Sequence, residues 1–176
     1  PGSNPLFGLN TLGGALSIRT KDGKTSPGAS LQLTYGSHDR HLGEAEFGGV
    51  MGAYDAYFTV TGFQEDGWRD DSPSNAIQTF GKVGWTGEAT RIALSGAFAH
   101  TDLQGNGLQE QRFLERDRSS VYTKPDITQN QSGLANLTFE HDAGGGLSFA
   151  GNAYYRKIHS RTYNGDLNDE ALTETV

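Results

Sequence analysis

The feature that most constrains this chain is its hydrophobic period. From Ala29 onward, apolar or small residues recur at every second position in one short segment after another. Leu31, Leu33 and Tyr35 alternate with Gln32, Thr34 and Gly36. Tyr54, Ala56, Phe58 and Val60 alternate with Asp55, Tyr57, Thr59 and Thr61. The same pattern runs through 43–49, 77–86, 91–98, 135–140 and 147–156. A period of two sends successive side chains to opposite faces of an extended strand. Seven strands are therefore predicted, each with one apolar face and one polar or small face. The fold class read from this is all-β and antiparallel.

The links between strands carry a second signal. Gly52-Ala53, Gly87 to Ala89 and Ala143 to Gly146 are short, whereas Gly67 to Asn75 and Asp102 to Gln131 are long. A polar loop is expected to begin near Ser160. Short turns at one end and long loops at the other are the pattern of an outer-membrane β-barrel. The link His38 to His41 is short on the long-loop side and breaks that pattern.

A soluble β-sandwich also alternates, but its inner faces are bulky because they pack on a second sheet about 10 Å away. Here the apolar face mixes Leu, Val and Phe with Gly and Ala. Tyr54, Trp85 and Phe149 are expected near the short-turn end, and Tyr35 and Phe98 near the long-loop end. That spacing fits aromatic girdles at the two interfaces of a membrane. The polar face carries Glu44, Glu46, Lys82, Arg91, Asn136, Glu140 and Arg156, as a solvated surface or a wet lumen does.

Composition narrows the function classes. The formal net charge is −7, so broad binding of nucleic acid, which needs a basic face, is not expected. There is no cysteine, which removes disulfides, thiolate metal sites and thiol nucleophiles. Glycine stands at 25 of 176 residues, about twice the usual share. Mean hydropathy is −0.57, and no apolar stretch of about 18 residues offers a transmembrane helix. No nucleophile elbow, zinc-protease helix motif, phosphate loop or dinucleotide glycine pattern occurs. The chain is not expected to be an enzyme or to carry a cofactor. It starts at Pro1 and stops in a polar stretch at Val176, and it is expected to be an internal fragment.

The segment ahead of the strands points to a family. Pro5-Leu6-Phe7-Gly8, then Leu12-Gly13-Gly14, then Ser17-Ile18-Arg19-Thr20-Lys21 resembles the end of the plug domain of TonB-dependent outer-membrane receptors. That family shows an aromatic-Gly, a Gly-Gly pair and an apolar strand closing on Thr-Lys. The usual aromatic is Tyr, and this chain has Phe7. Phe7, Gly8, Gly13 and Gly14 stand for the plug motif. Ala15, Leu16 and Ile18 are expected to be buried on that strand. The resemblance implies an antiparallel transmembrane β-barrel fragment, about seven strands of a 22-stranded barrel, preceded by the C-terminal end of the plug. Residues 1–24 are the plug end, 25–28 a linker and 29–176 the first part of the barrel. It further implies energised uptake of a scarce ligand across the outer membrane of a Gram-negative bacterium. The partners implied are outer-membrane lipid, the TonB complex of the inner membrane and a small ligand. A ferric siderophore is the commonest such ligand; haem, cobalamin, nickel complexes and carbohydrates are others. A plug-less porin or adhesin barrel and a soluble β-sandwich binding module stay open as alternatives.

Candidate sites follow from charge and position. In the loop Asp102 to Gln131, Arg112, Arg116, Arg118 and Tyr122 offer donors to an anionic ligand, although the run also holds Glu110, Glu115 and Asp117 and reads first as a self-compensated surface. A short helix is expected within Gln109 to Arg118. Glu44, Glu46, Lys82, Arg91, Glu140 and Arg156 are expected to face the lumen, where they could meet the plug. Ser37-His38-Asp39-Arg40-His41 reads as a surface turn rather than a metal site, because no third ligand is near. Asp166, Asn168, Asp169 and Glu170 lack the glycine and spacing of a calcium loop.

Overall fold

The structure, a computed structural model, describes residues 19–165. Seven strands, β1 (Gly28–Gly36), β2 (Arg40–Met51), β3 (Tyr54–Glu65), β4 (Ser74–Thr86), β5 (Thr90–Gly105), β6 (Asp126–Gly144) and β7 (Leu147–Asn164), pair in chain order as one antiparallel sheet. A one-turn helix α1 (Gln111–Leu114) interrupts the link between β5 and β6. The sheet is not closed; β1 and β7 are its edges.

Residues directly opposite in an antiparallel ladder share a face, so the register assigns every side chain. One row runs Gly49, Ala56, Val83, Leu94, Leu137 and Ala153. The next toward the long loops runs Phe47, Phe58, Gly81, Gly96, Ala135 and Tyr155. These rows form an apolar band. No described residue covers it: Leu31 is 71% exposed and Met51 80%. The opposite face holds Glu46, Thr59, Phe80, Ala97, Leu134 and Arg156 in one row, and Tyr57, Lys82, Ser95, Asn136 and Tyr154 in the next.

The tight turns follow from local chemistry. Gly36 pairs with Arg40, so the β1–β2 turn is the three residues Ser37, His38 and Asp39, and His38 (φ 59°) and Asp39 (φ 52°) are both left-handed. His41 Nε2 lies 3.0 Å from Asp39 Oδ1, and its ring sits 5.0 Å from Tyr35. The β6–β7 turn is built from Gly144, Gly145 and Gly146, all at positive φ, where only glycine is unstrained.

Three expectations are corrected. The strands reach further toward the long loops than periodicity indicates: β5 runs to Gly105, β6 starts at Asp126, and β7 continues past Ser160 to Asn164. Phe98 is consequently in mid-strand, in one row with Val60, Thr79 and Gly133. Tyr35 does stand toward the long loops, but the rest of its row is polar, running His41, Gln64, Asn75, Asp102, Gln129 and Arg161. Finally, Arg19 to Lys21 are not in a strand. Phe7, Gly8, Gly13, Gly14, Ala15, Leu16 and Ile18 lie outside the described residues, as do Asp166, Asn168, Asp169 and Glu170.

Left-handed backbone costs a non-glycine residue roughly 1–2 kcal/mol. Asp39→Gly is therefore expected to stabilise the β1–β2 hairpin by about 0.5–1 kcal/mol after the entropy of the added glycine. A raised midpoint in thermal unfolding of the full-length protein checks this; an unchanged or lowered midpoint shows that the Asp39–His41 contact matters more than the relieved strain.

Candidate functional site

The densest chemistry among the described residues lies where residues 19–27 cross the polar face near its short-turn end. Asp22 shapes this entry segment. Its Oδ1 accepts the backbone N–H of Lys24 (3.1 Å) and of Thr25 (2.9 Å), and the Thr25 hydroxyl (3.0 Å). An Asx turn of this kind folds a short segment without a helix or strand. Ser26 N donates to Asp22 O at 3.0 Å. The turn presses backbone against backbone. A Cβ on Gly23 would collide with the Gly49 carbonyl oxygen and lie 2.5 Å from that of Ala56, and a Cβ on Gly48 would collide with the Ser26 carbonyl.

The other oxygen of Asp22 points to the sheet. Its Oδ2 lies 3.3 Å from Arg91 Nη2 and 3.8 Å from Lys82 Nζ. Arg91 is shared: its Nη1 is 3.3 Å from Asp55 Oδ1. Asp55, on β3, is 1% exposed, and neither of its oxygens has hydrogen-bond geometry with any partner. The Arg91 contact is thus an ion pair by distance, and it is the compensating charge for a buried carboxylate. Directly opposite Asp55 stands Gly84, where a Cβ would meet Asp55 Oδ1 at 2.5 Å. Two carboxylates and two cations form a neutral quartet: Asp22 on the segment, and Asp55, Lys82 and Arg91 on three neighbouring strands.

Further contacts tie the segment down. Lys21 Nζ reaches Glu46 Oε2 at 2.6 Å, and the Tyr57 hydroxyl donates to the same oxygen at 2.5 Å. Lys24 Nζ donates to Thr86 Oγ1 at 2.7 Å. The hydrogen bond to Glu46 holds the Lys21 ammonium above its ordinary pKa. For Asp22, partial burial pushes the carboxyl up. The hydrogen bonds from Thr25 and the Lys82 and Arg91 charges outweigh that and hold it below its ordinary value.

All six residues expected on one face, Glu44, Glu46, Lys82, Arg91, Glu140 and Arg156, do share the polar face by register. The structure brings Glu46, Lys82 and Arg91 against the entry segment. Glu140 lines the same trench, of about 1020 Å³, with Arg91 and Tyr154. Glu44 and Arg156 lie further along the face, away from the quartet. Asp22 and Asp55, central here, are legible in the sequence only as half of a turn signal and as one more alternating polar residue.

The loop candidates are arranged differently. Arg112 Nε donates to Glu110 Oε1 at 2.6 Å, so its fork is engaged within the loop. Arg116, Arg118 and Tyr122 are exposed. The two long links brace each other: Asp70 N donates to Ser119 O at 2.9 Å, Arg69 Nη2 to Ser120 O at 2.9 Å, and Lys124 pairs with Asp71. The Asp71 contact holds the Lys124 ammonium above its ordinary pKa. Hydrogen bonds from Ser119 hold the Asp117 carboxyl below its own. Among the described residues no three His, Asp or Glu gather as a metal site.

Two outcomes follow. A carboxylate with a lowered folded pKa contributes stability above its unfolded pKa, near 4, and loses it as the pH falls through the folded value. Amide exchange of residues 20–26, corrected for intrinsic rates, should be slow at pH 6 and accelerate below about pH 4; a pH-independent corrected rate would show that Asp22 does not hold the segment. Gly23→Val, which the close backbone cannot accommodate, should speed tryptic cleavage after Lys24 by about tenfold, a loss of roughly 1.4 kcal/mol of docking. Compared with protein-family models, curated proteins and solved structures, the chain matches none.

Proposed function

We propose that this chain is part of a TonB-dependent outer-membrane receptor: the end of the plug and the first seven strands of a transmembrane barrel. The carrying observation is the pairing of opposites on one sheet. One face bears an apolar band that no described residue covers, and the other bears charged residues against which the chain's own preceding segment is clamped. In lipid, strands must satisfy every backbone group through their neighbours and turn apolar side chains outward. A receptor plug must in turn be held on the inside by contacts that can be undone. On this reading the segment 19–27 is the junction of plug and wall, and the braced loops 66–73 and 106–125 face outward. The function is energised uptake of a scarce ligand, with a ferric siderophore as the ligand class the resemblance favours. Arg116, Arg118 and Tyr122 would then be available to it in the outer loop.

The test uses two adjacent positions on β6. Leu137 lies in the apolar band and Asn136 on the polar face. An Arg on a lipid face costs about 2–4 kcal/mol near the midplane. In the full-length protein, Leu137→Arg should abolish assembly of the folded form in outer membranes, while Asn136→Arg should assemble normally. Equal tolerance of both, with a folded monomer in plain buffer, would replace the membrane reading with a soluble β-sandwich. Collapse of the proton gradient should also stop uptake of a labelled ferric siderophore; uptake that continues identifies an ungated pore.

A further inference from the structure

We propose that the wall of this sheet carries a carboxylate-binding site made by Lys82 and Arg91 and backed by buried Asp55, and that Asp22 fills it as a tethered, exchangeable ligand. The argument starts from Asp55. A carboxylate that is 1% exposed and lacks any hydrogen bond is costly to retain, and nothing in the packing of β3 calls for one. What it does is set a negative charge beside Arg91. Nη1 donates to Thr86 Oγ1 at 3.0 Å and lies 3.3 Å from Asp55 Oδ1, and Nη2 lies 3.3 Å from Asp22, so the guanidinium has two anchors on the wall and one on the segment. Lys82 adds its charge from β4, 3.8 Å from Asp22.

Removing the Asp22 carboxylate alone leaves Asp55, Lys82 and Arg91 in place, with a net charge of +1 and two cations aimed at an emptied acceptor position. That is the composition of a monoanion site. Asp55 neutralises one cation in the emptied state, so the pair does not repel itself out of geometry, and it keeps the guanidinium pre-aimed. Carboxylate, planar and singly charged, fits a guanidinium edge. The site opens onto the trench lined by Thr20, Lys21, Asn136 and Glu140, so a small carboxylate has a path to it. The entry segment is therefore a strap that a carboxylate in solution, or another acid of the protein, can exchange with. This inference rests on the quartet alone. The experiment runs equally in detergent micelles or plain buffer, so its failure is separate from failure of the membrane reading.

The test is competition in the full-length protein, read as amide exchange of residues 19–26. Asp22→Asn keeps the Asx-turn acceptor and removes only the charge; it should raise exchange about tenfold, equivalent to about 1.4 kcal/mol. In the wild type, sodium acetate should displace Asp22 and raise exchange toward the Asp22→Asn level, where sodium chloride at the same ionic strength does not. Acetate binding to Asp22→Asn, read from the Lys82 side-chain resonance, should be lost on adding Arg91→Gln and weakened several-fold on adding Asp55→Asn. Wild-type protection in Asp22→Asn, or wild-type exchange that acetate leaves unchanged, overturns the site. Acetate binding undiminished by Asp55→Asn overturns the role given to Asp55.

Discussion

Everything in this structure depends on the parity of one hydrogen-bonded ladder. Each strand pairs with the next in sequence, and a slip of one residue in any pair would turn its side chains to the other face. The apolar band and the charged face are thus set by a single variable. Three neighbouring strands supply three members of the quartet, and their registers put them in successive rows of one face: Lys82 opposite Tyr57, Asp55 opposite Gly84, and Arg91 opposite Thr86. No loop geometry is needed to assemble those charges. The entry segment completes them by adding one carboxylate.

Glycine does the complementary work of allowing close approach. Gly84 leaves the room that the Asp55 carboxylate occupies, and Gly23 and Gly48 let the segment lie with its backbone against the sheet. Because that contact is backbone on backbone, it adds little apolar burial. Shape fixes where the segment sits, and its hold falls largely to the ion pairs. Surface pairs such as Lys21–Glu46 contribute little each, typically under about 1 kcal/mol. The half-buried quartet is less screened by solvent and salt, so it decides whether the segment stays.

The sequence announces the strands because one face alternates cleanly with the other. The turns at Gly52-Ala53 and Gly87 to Ala89 fall where glycine and the end of alternation place them. The extended ends of β5, β6 and β7 are a different matter. Thr128, Gln129, Asn130 and Gln131 are polar on both faces, so period-2 reasoning sees a loop, and only pairing with β5 and β7 makes them strand. Phe98 is misplaced as a girdle residue for the same reason. The six charged residues of the polar face are legible by parity alone. Their partners are not: Asp22 and Arg91 are far apart in sequence, and nothing in the alternation marks Asp55 as buried.

An ionic clamp has a property that an apolar one lacks. Peeling an apolar segment from a sheet exposes surface to water throughout the movement, and the lost contact is not replaced. When the Asp22 carboxylate withdraws, water or another anion takes its place at once, and Arg91 keeps its contact with Asp55. The uncompensated charge left on the wall is Lys82, which borders an open, water-accessible trench and so needs no protein partner. The Arg91 contacts with Thr86 and Asp55 lie wholly within the wall and do not require the segment. On the proposed reading, such a hold suits a segment that is released and recaptured, and it gives buried Asp55 a purpose that static packing does not.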